Sequence, residues 1–111
     1  MAEYKGLLHI DESKKWNLLL TNVENTLKSG EEVELVVVAN AEAVRDLAQE
    51  GDLRDRIQRQ NDQGVTFAAC RNALISNNID IHSLPEFVEI VPAGIVELIK
   101  RQMGGFCYIK P

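Results

Sequence analysis

Leu35-Val36-Val37-Val38-Ala39 is apolar at every position and β-branched at its centre. A run with no polar alternation suits a strand covered on both faces, the situation of parallel sheets flanked by helices. Glutamates precede the run and Asn40 follows it, so the strand spans Val33 to Ala39. Tyr4 to Ile10 reads the same way, through Gly6, Leu7, Leu8, His9 and Ile10. Between the two, Trp16, Leu19, Leu20, Val23 and Leu27 recur at spacings of three and four, one apolar face of a helix. Asp11-Glu12-Ser13 supplies acids and a cap candidate at its start, and Gly30 stands in the usual stop position. Strand, helix and strand make a right-handed βαβ unit.

The rest of the chain repeats that alternation. Ala41 to Gln49 reads as a helix with Val44, Leu47 and Ala48 inward, and Glu50-Gly51-Asp52 breaks it. Leu53 to Gln63 is a mostly polar helix anchored by Leu53 and Ile57. Its Arg54, Arg56 and Arg59 form a solvated face or a subunit contact. Gly64 ends it, and Val65 to Ala69 is a third buried strand that runs into a short helix with Ala73 and Leu74 inward. Asn77-Asn78 stops that helix, and Ile79, Ile81 and Leu84 plug the core from a connector. Phe87 to Val91 is a fourth strand. Pro92-Ala93-Gly94 opens a last helix with apolar Ile95, Val96, Leu98, Ile99 and Met103. Gly104-Gly105 stops it before a fifth strand, Phe106 to Ile109. Five strands alternating with helices predict an α/β fold. The expected form is a single-domain, three-layer α/β/α sandwich with a five-stranded parallel sheet over residues 1–111. The pattern leaves the strand order open.

Composition narrows the function classes. A chain of 111 residues suits one domain with a real core. The net charge of −5 gives no basic footprint for nucleic acid, and 5% aromatics leave few platforms for stacking bases. No apolar run approaches the roughly 20 residues of a membrane helix. Met1-Ala2-Glu3-Tyr4-Lys5 lacks the basic and apolar regions of a signal peptide. Cys70 and Cys107 are too few for a disulfide scaffold, so a reducing, cytoplasmic setting is expected.

The familiar cofactor loops are missing. There is no G-x-G-x-x-G, no Walker loop, no C-x-x-C and no G-x-S-x-G. A phosphatase-like loop needs arginine six residues after the cysteine, and Ser76 stands there. His9, His82, Cys70 and Cys107 have no metal-ligand spacing, so neither a metal nor a cofactor is expected. A phosphate-receiver domain needs clustered acids, and only Asp11 and Glu12 offer any.

What remains gathers at the carboxyl ends of the strands, the rim where parallel sheets bind ligands. There stand His9 and Asp11, then Asn40, then Cys70, Arg71 and Asn72, then Pro92 and Gly94. Cys70 falls where strand meets helix. A helix start carries unpaired N–H groups and partial positive charge, which favour the nucleophilic thiolate. Free cysteine is also a common core filler. His9 is an acid–base partner or a hydrogen-bonded core residue, and Arg71 an anion contact or a solvent-facing side chain. Asn40 and Asn72 are ligand contacts or helix caps. Cys107 reads as inert packing and His82 as exposed. Two functions stay open: a reactive thiol at Cys70, or a non-enzymatic oligomeric module that holds a small molecule or anion beside it.

Three runs carry a resemblance. Gly64-Val65-Thr66-Phe67-Ala68-Ala69-Cys70-Arg71-Asn72-Ala73-Leu74, Val91-Pro92-Ala93-Gly94-Ile95-Val96-Glu97-Leu98 and Gln102-Met103-Gly104-Gly105-Phe106-Cys107-Tyr108-Ile109-Lys110-Pro111 resemble the DsrE/DsrF-like (YchN-like) family, most of all its small single-domain prokaryotic members. The likeness covers nearly the whole chain, and His9 and Asp11 fit it. It implies the same three-layer fold and assembly into trimers or hexamers. It also implies a sulfurtransferase-like activity: sulfane sulfur held as a persulfide on the cysteine after the third strand and passed from a donor to an acceptor protein. Cys70 occupies that position.

Overall fold

The sheet grows outward from its first two strands. β1 (Tyr4–Ile10) and β2 (Val33–Ala39) pair in parallel along their full length, Tyr4 beside Val33 and Ile10 beside Ala39. In the computed structural model, which describes residues 2–111, β3 (Thr66–Cys70) adds to β2 and β4 (Glu89–Val91) adds to β3. β5 (Cys107–Ile109) pairs with the other side of β1. Every pairing is parallel, and the order is β4-β3-β2-β1-β5.

That order decides which face each helix covers. From β1 to β4 the chain steps one way, and right-handed crossovers put the connecting helices on one face. These are α1 (Trp16–Lys28), a 3₁₀ segment (Ala41–Ala48), α2 (Asp52–Asp62) and α3 (Arg71–Ser76). The return from β4 to β5 runs the other way, so α4 (Gly94–Met103) lies on the opposite face. The result is the expected three-layer sandwich with unequal outer layers. The thick side packs Leu8, Ile10, Leu35, Val37, Phe67 and Ala69 of the sheet against Trp16, Leu19, Leu20 and Val23 of α1 and their neighbours. The thin side has Leu7, Val36, Val38, Ala68 and Val91 under Leu98 of α4. The other apolar residues of α4, Ile95, Val96, Ile99 and Met103, are exposed.

Several boundaries differ from the sequence expectation, each for a local reason. The segment expected as an α-helix from Ala41 is 3₁₀, and its buried residues are Ala43, Val44 and Leu47. A three-residue repeat stacks Val44 over Leu47 and leaves Ala48 only half-buried. The fourth strand begins at Glu89 because the Val88 N–H is already spent on the Pro85 carbonyl at 3.1 Å. Ser13 does not cap α1. It opens a 3₁₀ turn, and its hydroxyl donates to the Glu42 carbonyl at 3.3 Å. The stop at Asn77-Asn78 is found, with Asn78 in the left-handed region at φ 57°.

Trp16 ties α1 to the segment after β2. It is fully buried, stacks obliquely near Phe67, and its Nε1–H donates to the Ala43 carbonyl at 3.0 Å. Trp16→Phe removes both ring volume and the partner of a buried carbonyl. Urea denaturation is expected to show a loss of about 1–3 kcal/mol. An unchanged midpoint contradicts this role.

Candidate functional site

Residue parity sets the site. On β1, β2 and β3 the side chains of Leu7, Val36, Val38 and Ala68 face α4. Two residues on from Leu7 and Val38, the same alternation puts His9 and Asn40 on that face at the carboxyl rim, while Cys70, at the junction of β3 and α3, packs with the thick-side cluster and has its Cβ beside Gly94. β5 joins them, because Tyr108 sits beside Leu7 in the sheet register and so faces the same way.

His9 is the centre of this group and is buried. Its Nε2 lies 2.9 Å from Asn40 Oδ1 and its Nδ1 2.6 Å from the Tyr108 hydroxyl. The His9 and Tyr108 rings are 5.7 Å apart at their centroids. An amide oxygen only accepts, so Nε2 carries a proton and donates. In the neutral ring Nδ1 is then bare and takes the tyrosine O–H. In the charged ring both nitrogens donate, and the tyrosine oxygen accepts. In either state Asn40 keeps its oxygen toward His9 and its Nδ2 turned away.

The backbone at Asn40 is equally constrained. Its N–H donates to the Ile10 carbonyl at 3.0 Å, and its own carbonyl accepts from Ala43 N–H at 3.2 Å. Ala41 follows in the left-handed region at φ 50°, a conformation costly for a residue with a Cβ. Asn77 Nδ2 donates to the Ala41 carbonyl at 3.2 Å across the turn. Asn40 does stand at the N-cap position, yet its side chain caps nothing and serves His9 instead.

Cys70 ends β3 and opens α3. It is a free thiol, only 7% exposed, and no side chain hydrogen-bonds to it among the described residues. Gly94, the first residue of α4, flanks it. A Cβ on Gly94 would lie 3.2 Å from Cys70 Cβ and 3.3 Å from both Asn40 Cβ and Asn40 Nδ2. Glycine therefore lets α4 press on the rim, and it brings Cys70 and Asn40 to one spot. α3 has six residues, a short helix for the anion-favouring start expected at Cys70.

The remaining rim residues divide. Asp11 pairs with Lys110, Oδ1 to Nζ at 3.0 Å. The lysine hydrogen bond first, with added charge from Lys110 and His9, holds the Asp11 carboxyl below its ordinary 3.8. Arg71, Asn72 and Pro92 are exposed and take no part in the hydrogen bonds that join His9, Asn40 and Tyr108. Pro92 precedes the helix N-cap, Ala93, instead of occupying the first helical position. His82 is exposed as expected. Cys107, expected as inert packing, is exposed on the edge strand. It lines a cleft of about 280 Å³ with Tyr4, Gly6, Leu35 and Ile109 at the amino end of the sheet, remote from Cys70. Sequence reasoning missed Tyr108 and Lys110. Both lie 99 residues from their partners, and the only signal was alternation in a short last strand. Among the described residues no three His, Cys, Asp or Glu side chains gather as a metal set.

Over 98% of its length the chain resembles a protein of unknown function, MTH1491 from Methanobacterium thermoautotrophicum, at 32% identity and TM-score 0.90, covering all of that chain. The chain belongs to the MTH1491 family. A protein of unknown function from Bacteroides thetaiotaomicron, BT1422, shares the fold at 12% identity and TM-score 0.77, over 96% of this chain and 94% of its own. No family model matches the chain, and no curated protein does. No helix among the described residues is long and apolar enough to cross a membrane. For this member of the MTH1491 family the rim therefore has to be read from its own chemistry.

The ion pair that fastens the last residues of the chain to the rim has a defined pH window. Asp11, with its folded pKa lowered, contributes stability above the unfolded value near 3.8. That contribution fades as pH falls through the lower folded value. Lys110, raised above 10.5 chiefly by the Asp11 hydrogen bond, contributes below 10.5 and loses it as pH rises through its folded value. Lys110→Ala is expected to move the Asp11 carboxyl titration, followed by NMR, upward toward 3.8. An unmoved titration contradicts the pair.

Proposed function

We propose that this chain is a sulfur-relay protein of the DsrE/DsrF type that carries sulfane sulfur as a persulfide on Cys70. The observation that supports this reading is the company of the thiol. Cys70 ends a central strand on the ligand rim, and Gly94 and Asn40 crowd round it without bonding to it. The chemistry is thiol exchange and needs no outside oxidant. The Cys70 thiolate attacks the outer sulfur of a donor persulfide. A sulfur–sulfur bond forms at Cys70 Sγ, the donor's sulfur–sulfur bond breaks, and its electron pair leaves on the donor thiolate. An acceptor thiolate then attacks the outer sulfur, and Cys70 leaves as thiolate. Rate in such exchange depends on access as well as on the thiolate fraction. With Cys70 only 7% exposed, small donors are expected to load it faster than bulky ones.

A second reading rests on that same burial. In it Cys70 only lines a site for a small molecule or anion. Incubation with thiosulfate or polysulfide separates the two. Intact-mass spectrometry is expected to show about +32 Da, one sulfur, on the wild type and none on Cys70→Ser. An unmodified wild type, or equal loading of the variant, favours the binding module.

Assembly of this chain into trimers or hexamers belongs to the same proposal. The surface that best supports it is on α4. Arg56 of α2 is occupied within the chain, with Glu24 and Asn17 each at 3.1 Å. The outer stripe of α4, Ile95, Ile99 and Met103, is 58%, 52% and 86% exposed at spacings of four. Contiguous apolar surface of this kind marks interaction sites. Light scattering is expected to give a multiple of 12.4 kDa for the wild type and a monomer for Ile99→Glu. A wild-type monomer removes this part of the proposal.

A further inference from the structure

We propose that Tyr108 and His9 are positioning residues that act through Asn40, aiming its side-chain N–H group at the outer sulfur of a Cys70 persulfide. The inference rests on the sulfur-carrier reading and assigns that site its anion contact. Asn40 Oδ1 is engaged by His9 Nε2 at 2.9 Å, and His9 Nδ1 is engaged by the Tyr108 hydroxyl at 2.6 Å. The chain of bonds thus crosses from β5 through β1 to the end of β2 and leaves one loose end, Asn40 Nδ2. That group has no hydrogen-bond partner among the described residues, and it shares with Cys70 Cβ the space beside Gly94.

The thiol itself is not its target, since no hydrogen bond joins Nδ2 to Sγ. A persulfide extends the side chain by one further bond of about 2 Å and moves the negative charge outward. An N–H donor set back from Sγ suits that outer atom. A donor to an ionised acceptor is worth roughly twice a neutral one. Tyr108 and His9 matter because an asparagine amide is free to flip. Turned over, it would present its oxygen to the sulfur and repel the charge.

The test combines a spectroscopic and a chemical readout on the whole chain. Nitrogen-15 NMR of the neutral His9 ring is expected to show the proton on Nε2. A proton on Nδ1 overturns the proposal, because Asn40 must then offer Nδ2 to His9. After loading with polysulfide and removal of the excess, the sulfur adduct is followed by mass. Asn40→Asp is expected to shorten its lifetime about tenfold, the effect of roughly one charge-assisted hydrogen bond. Tyr108→Phe is expected to shorten the lifetime less and to mix the His9 tautomers, which a merely structural tyrosine does not do. A wild type that loads, with variants that hold sulfur equally long, overturns this inference alone. A wild type that never loads removes the carrier reading and this inference with it. Should Asn40→Asp fail to fold, Tyr108→Phe and the wild-type tautomer decide the matter.

Discussion

The order β4-β3-β2-β1-β5 is the constraint on which everything else depends. Because the chain steps outward three times on one side of β1 and returns once to the other side, the two faces of the sheet receive unequal cover. The thick face takes the large apolar residues of α1 and the segments that follow β2. The thin face has only α4, and α4 begins at the rim with a glycine pressed against Cys70 and Asn40. Polar side chains survive near the core there because each finds a partner. His9 spends both ring nitrogens, and a buried imidazole without them would cost several kcal/mol of desolvation.

The last strand has a double role in this arrangement. By pairing with β1 it closes one side of the sheet, with Tyr108 beside Leu7 and Ile109 beside Leu8. It also carries two rim groups, the Tyr108 hydroxyl onto His9 and, one residue beyond the strand, Lys110 onto Asp11. The candidate site is thus completed by residues 99 positions away from their partners in sequence. Arg101 supports the same region. It pairs with Glu97 within α4 at 2.8 Å and lies over the Phe106 ring at 5.6 Å, holding the end of α4 to the start of β5.

Much of the fold was legible in the sequence, and the reasons are specific. Leu35–Ala39 has no polar break, so burial on both faces could be read directly. The Trp16-to-Leu27 spacing admits one helical face. The 3₁₀ form of Ala41–Ala48 was not legible, because Val44 and Leu47 three apart suit either helix type. Cys107 was misread for a different reason. Apolar neighbours suggested an interior strand, whereas strand order puts β5 at an edge, and order is the property that periodicity does not encode. Of the rim residues, Cys70, Asn40, His9 and Gly94 do come together, since parallel strands align their carboxyl ends. Arg71 and Asn72 do not, because α3 turns them outward to solvent. Tyr108 was hidden by register: its place beside Leu7 follows only once β5 is known to pair with β1.

The central claim is that one thiol at this rim holds transferable sulfur. Radiolabelled sulfane sulfur, loaded from thiosulfate and chased with excess small thiol, measures it most directly when combined with peptide mapping. The account predicts one labelled sulfur per chain, on the peptide containing Cys70, discharged by the thiol and unaffected by Cys107→Ser. Label that is absent, that resists the thiol, or that maps to the exposed Cys107 contradicts it.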